Sequence, residues 1–243
     1  MLNATSPIEE LVARIIGFVN SGRLNDAETL CERALTEYPE QPAVLQLSAV
    51  LDLRAGRAVE AVRHAAASLR LRPDHIPTLV AAGDAAGLCG NHIDAASYFE
   101  RAHALDPSRM PVRLKLATAQ HRGGLLPEAR DTIERFVADA PDEGDAWFVL
   151  ALVLQDLRDF DGAADALRRV LRLMPHRAEA ETNLGIVLQA SGRIDEAMKA
   201  YARAYRLRPK TFGRIAHALA AESTGQVWTD LDALRSALQS TPP

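Results

Sequence analysis

The sequence predicts an all-α fold, a solenoid of stacked helix pairs, and three series of residues in one phase predict it. Pro39, Pro73, Pro107, Pro141, Pro175 and Pro209 stand 34 residues apart. Ala27, Ala61, Ala95, Ala129, Ala163 and Ala197 recur at the same spacing without a substitution. Gly22, Gly56, Gly90, Gly124 and Gly192 form the third series, with Arg158 in the one place where glycine is missing. A period of this length marks a chain that stacks one supersecondary unit on the next.

Each unit reads as two short amphipathic helices, A then B. Two helices A open on proline, Pro77 and Pro111, where a missing N–H costs little. The glycine suits the left-handed backbone that closes a helix. Helix B then begins with an acid, Asp26, Glu60, Asp94, Glu128 or Glu196, at the positive pole of its dipole. Pro127 occupies the first turn of one helix B, and arginines gather at the opposite ends: Arg70 and Arg72, Arg172, Arg206 and Arg208. The recurring proline stops helix B and turns the chain into the next unit. Helices of about 12–14 residues are marginal alone in water, so burial between units has to hold them. Ala49, Gly83, Ala117, Ala151 and Gly185 on helix A, facing the alanine that starts each helix B, let paired helices approach closely.

Composition narrows the chemistry. The chain has 243 residues, 48% hydrophobic and 25% charged, with only 5% aromatic, which favours helix over sheet. A net charge of −4 speaks against nucleic acid or an acidic membrane as partner. The longest apolar run, Trp147–Leu154, is too short to span a bilayer. Glu9 and Glu10 stand where a signal peptide needs positive charge. Cys31 and Cys89 lack redox or metal spacing. A cytoplasmic location is expected. No phosphate-binding glycine loop, metal motif or acid–base pair is present, so no cofactor, metal or catalytic residue is expected.

Leu184, Gly185, Leu188, Ala197, Tyr201 and Pro209 spell L-G-x2-L, A-x3-Y and P, and Gly83, Ala95, Phe99, Ala102 and Pro107 repeat the pattern. On these residues the chain resembles the tetratricopeptide repeat family, over nearly its whole length. The resemblance implies a right-handed superhelical solenoid of six helix–turn–helix repeats, at 8–41, 42–75, 76–109, 110–143, 144–177 and 178–211, behind a tail at 1–7. Residues 212–240 read as a degenerate capping pair, with its turn at Gly225 and an apolar helix around Trp228, Leu231, Leu234 and Leu238; residues 241–243 are expected to fray. Ile15 stands where a small residue is usual, so the first pair is expected to splay. Phe136, Val170 and Arg158 are further departures, expected to alter the stacking of repeats four and five.

The resemblance also implies that helix A lines an inner, partner-binding face. Carried over residue by residue, it gives apolar Val50, Leu53, Leu114, Phe148, Leu152 and Ile186 as anchors, and polar Lys115, His121, Arg122 and Asn183. Lys115 and Arg122 would orient an acidic group. The lysine–asparagine–arginine clamp of chaperone adaptors is not present. Asn183 is a single rung of the asparagine ladder found in the repeat region of O-linked N-acetylglucosamine transferase. The expected function is a non-catalytic scaffold holding an apolar or amphipathic segment of a protein partner in a concave groove. The alternatives are a homo-oligomer that self-associates through the groove or a terminal repeat, and an accessory module serving an enzyme in trans. Peptide-sensing transcription regulators of this fold carry a helix-turn-helix ahead of the repeats, and the seven residues before the first repeat disfavour that class.

Overall fold

The computed structural model of the protein describes residues 6–221 and 230–241, and among these no strand occurs. The helices come in pairs. They are α1 (Pro7–Asn20) and α2 (Leu24–Glu37), α3 (Pro42–Arg54) and α4 (Ala58–Leu71), and α5 (Ile76–Leu88) and α6 (His92–Leu105). Then follow α7 (Met110–Arg122), α8 (Leu126–Asp139), α9 (Gly144–Asp156), α10 (Phe160–Leu173), α11 (Ala178–Ala190) and α12 (Ile194–Leu207). A 3-10 turn, Pro209–Thr211, leads into α13 (Phe212–Ala221), and α14 (Leu231–Ser240) is the last described helix. Two compact units divide between Leu125 and Leu126: the first holds α1–α7 and the second α8–α14.

The turn between helices of a pair is one motif used repeatedly. Gly22, Gly56, Gly90, Gly124 and Gly192 all adopt φ between 75° and 79°. The next residue's N–H reaches back to close a Schellman bond, as in Arg23 to the Phe18 carbonyl (2.9 Å) and Arg57 to that of Asp52 (2.8 Å). Arg158 takes the same left-handed conformation at φ 62°, and Asp159 N–H still reaches the Leu154 carbonyl at 2.9 Å. The turn is thus kept without glycine, and its guanidinium lies 5.2 Å from the Phe160 ring. At the other end of helix B, Arg72, Asp106, Met174 and Arg208 leave the helical region, with φ between −135° and −151° and ψ between 72° and 96°, each directly before a recurring proline that disfavours helical backbone.

Caps differ along the chain. Ser6 and Glu9 form a capping box on α1, with Glu9 N–H donating to Ser6 Oγ and Ser6 N–H to Glu9 Oε2. Asp159 accepts from Gly162 N–H at 3.0 Å, and Asp230 caps α14. Elsewhere stability comes from packing. In the first unit Ile15, Val19, Ala27, Cys31, Ala34, Val44 and Leu51 form one buried cluster, while Leu69, Leu79, Phe99, Val112 and Leu116 belong to a second.

Paired helices meet through side chains of complementary size. A Cβ on Gly83 would stand 2.6 Å from the Phe99 ring, and one on Gly185 would stand 2.3 Å from that of Tyr201. Ile15 and Cys31 stand at the same sequence offset, both buried in one cluster. There the large residue is on helix A and the small one on helix B. Ile15 and Cys31 are therefore a reversed pair, both buried, and α1 and α2 pack less closely than the α3–α4, α5–α6, α9–α10 and α11–α12 pairs, as the sequence leads one to expect. Phe136 and Val170 are likewise buried, within the second unit. The Cys31 Sγ lies 3.1 Å from Ser48 Oγ, and burial pushes its thiol pKa up.

In the capping pair, Leu234 and Leu238 are fully buried and Leu231 is exposed. Gly225 and Trp228 lie outside the described residues. Thr241, assigned by sequence to the fraying end, has its carbonyl held by Arg206 Nη1 at 2.9 Å.

Candidate functional site

The first unit carries an open groove of about 740 Å³. It is lined by Leu53 and Arg54 of α3, Gly83, Asp84, Gly87 and Leu88 of α5, and His92, Ala95 and Phe99 of α6; α7 supplies Pro111, Leu114, Lys115, Thr118, Ala119 and Arg122. The two glycines follow from the repeat geometry. Gly83 lets the Phe99 ring, on the partner helix, come close enough to line the groove. Leu88, 66% exposed, adds apolar surface to the lining beside Leu53, Phe99, Pro111 and Leu114.

Charge is arranged unevenly. Lys115 Nζ is ion-paired with Asp84 Oδ1 and lies 5.8 Å from the centroid of the Phe99 ring. Lys115 is therefore satisfied within the groove. Arg54 and Arg122 are exposed, and among the described residues neither meets a carboxylate. Arg54 makes only a long bond, 3.4 Å, from Nη1 to the Val19 carbonyl. Arg54, Leu88 and Arg122 are the last residues of α3, α5 and α7, where a cation also complements the helix dipole.

Four of the ten residues singled out by sequence, Leu53, Leu114, Lys115 and Arg122, meet in this groove. Val50 and His121 are half-buried in the same unit outside its lining. Phe148, Leu152, Asn183 and Ile186 belong to the second unit. There Phe148 is covered by Arg177, whose guanidinium carbon is 4.1 Å from the ring centroid and whose Nη1 donates to Asp145 at 2.5 Å. Leu152 and Ile186 are half-buried. Asn183 is 2% exposed, and its Oδ1 accepts from Arg214 Nη2 of α13 at 2.6 Å. It serves α11–α13 packing instead of presenting an amide to solvent.

Sequence reasoning missed Phe99 and His92 as lining residues, because both come from helix B. The signal was available for Phe99: a glycine on helix A faces it. A second cleft, of about 540 Å³ in the second unit, is lined by Asp145, Met174, Pro175, His176, Arg177, Glu179 and Arg208. Its arginines are met internally, Arg177 by Asp145 and Arg208 by Glu179. Glu179 is held below the usual carboxylate range by its own backbone N–H and by Arg208. Among the described residues no cluster of His, Cys, Asp and Glu is placed to hold a metal ion, and no helix is long and apolar enough to cross a membrane.

Two family profiles described as tetratricopeptide repeat match the chain, over residues 90–153 and 148–210. No curated protein matches it. Among solved structures, MamA from Desulfovibrio magneticus RS-1 is similar at a TM-score of 0.65 and 18% identity, covering 70% of this chain and 96% of that one. YrrB, described as a TPR protein with an unusual peptide-binding site, reaches 0.64 and 19% identity over 79% of this chain and 96% of its own. A tetratricopeptide repeat protein from Parabacteroides merdae ATCC 43184 reaches 0.66 and 15% identity over 96% and 98%. At these identities the likeness is one of fold.

Proposed function

The chain is a tetratricopeptide repeat protein, and from that premise we propose a non-catalytic cytoplasmic scaffold of six repeats and a capping pair. It holds an apolar or amphipathic segment of a partner protein, and the groove of the first unit is the binding site. The observation that carries this reading is Leu88, 66% exposed in the lining of a groove that Leu53, Phe99, Pro111 and Leu114 also line. Leaving such a side chain in water forgoes about 1.5–3 kcal/mol that full burial by a partner would return. YrrB, of the same fold, is described as having a peptide-binding site, which supports the class of ligand.

The test is a pull-down from host cytosol with wild type and with Leu88→Asp and Leu114→Asp, each variant first checked for unchanged helical content and melting. A protein retained by wild type and lost by both variants is the expected result. Identical captures by all three would overturn the reading.

A further inference from the structure

The groove of the first unit is electrically one-sided. Asp84 is the carboxylate in its lining, and Lys115 neutralises it. Arg54 and Arg122 are left over, on a chain whose net charge is −4. Between them in repeat order stands exposed Leu88. Helix α5 packs on α3, and its Asp84 reaches Lys115 of α7, so α5 lies between the two. Packed helices stand about 8–10 Å apart, and α7 reaches α5 through the Lys115–Asp84 ion pair, so the α3 and α7 axes are on the order of 20 Å apart. An extended peptide covers that span in about five or six residues.

A guanidinium without an acid partner is a ready receptor for a carboxylate, which it grips through paired N–H donors. Two of them, separated by an apolar surface, select a matching order of side chains and repel the opposite charge. We propose, resting on the groove being the binding site, that its occupant is a short segment of a partner protein with apolar residues flanked on both sides by Asp or Glu. The flanking acids stand about five or six residues apart when the segment is extended. One meets Arg54, the other Arg122, and the apolar residues between them cover Leu88, Phe99 and Leu114. Lys115 contributes shape to this site; its charge is already taken by Asp84.

Selection from displayed random peptides, each about 12 residues long and internal to the display protein so that no free terminus is offered, tests this. The wild-type chain is compared with Arg54→Glu/Arg122→Glu and with Leu88→Asp. All three positions are exposed, so the variants are expected to fold, and circular dichroism checks it. The inference expects wild type to enrich apolar cores bracketed by acids. The charge-reversed variant then prefers lysine and arginine brackets and binds the acidic winners at least tenfold more weakly. Winners without charge bias that Leu88→Asp still loses would overturn the acid-flanked occupant and leave the groove reading standing. No enrichment at all would overturn both. Self-association by light scattering that Leu88→Asp abolishes would make the occupant a second copy, and the inference fails.

Discussion

Gly83 and Phe99 share one space: a Cβ built on the glycine would stand 2.6 Å from the aromatic ring. The same exclusion joins Gly185 and Tyr201, whose hydroxyl then donates to Gln189 Oε1 at 2.8 Å. In each pair the mass missing from helix A is supplied by helix B. At the same offset in the second unit stand buried Ala151 and Leu167, an intermediate division of the same volume.

Gly83→Ala should therefore destabilise the first unit by about 1–2 kcal/mol, overpacking outweighing the better helix propensity of alanine. Gly83→Ala/Phe99→Leu, which copies the Ala151–Leu167 division, is expected to recover most of the loss. Urea denaturation of the two singles and the double measures the coupling, and additive effects would contradict shared space.

Arg158 holds a left-handed conformation that five glycines hold elsewhere. A side chain costs about 1–2 kcal/mol there, against the greater unfolded-state freedom of glycine. Arg158→Gly is expected to raise stability by roughly 0.5–1 kcal/mol, even with the contact to Phe160 lost. A thermal melt reads this directly; a lower midpoint would mean that the ring contact dominates.

Asp52 is 6% exposed, and both its oxygens are used: Oδ1 accepts from Arg57 Nε at 2.8 Å and Oδ2 lies 2.7 Å from His64 Nδ1. Arg57 also donates to Glu28 of α2 at 2.7 Å, so the network ties α2, α3 and α4 together. Asp52→Ala leaves polar groups unmet and should cost about 1–3 kcal/mol. Glu28→Ala, which removes a more exposed partner, should cost under about 1 kcal/mol. Equal losses from the two would show that burial of Asp52 does not matter.

His75 and His103 both have their pKa lowered, first by burial and then by Arg72 and Arg113 respectively. The unfolded chain then binds protons more readily than the native one, so stability falls as pH drops through about 6.5, the ordinary histidine value. Unfolding midpoints measured from pH 8 to 5 should decline over that window. The slope is expected to be shallower in His75→Asn/His103→Phe. An unchanged slope in the double variant would assign the decline to other groups.

Most of the architecture was legible because its determinants are local and repeated. A left-handed glycine, an acid at a helix start and a proline that ends the helix act within a few residues, so their recurrence announces each pair. Ile15 was legible as a departure: α1 and α2 pack less closely than the α3–α4, α5–α6, α9–α10 and α11–α12 pairs, while Ile15 and Cys31 both stay buried. Leu53, Leu114 and Arg122 were legible as groove residues from repeat position. Phe99 required reading two helices together, since it lines the groove through the hole left by Gly83.

By itself, then, the sequence determined that this chain is built of helix pairs with a left-handed turn inside each, because those choices are made by backbone conformation near each residue. Only the tertiary structure decided which charges are spent and which are free. Lys115 and Arg122 share helix α7 and both line the groove, yet one is neutralised by Asp84 on α5 and the other meets no carboxylate among the described residues. That difference arises from the packing of one helix pair on the next, which brings together groups far apart along the chain.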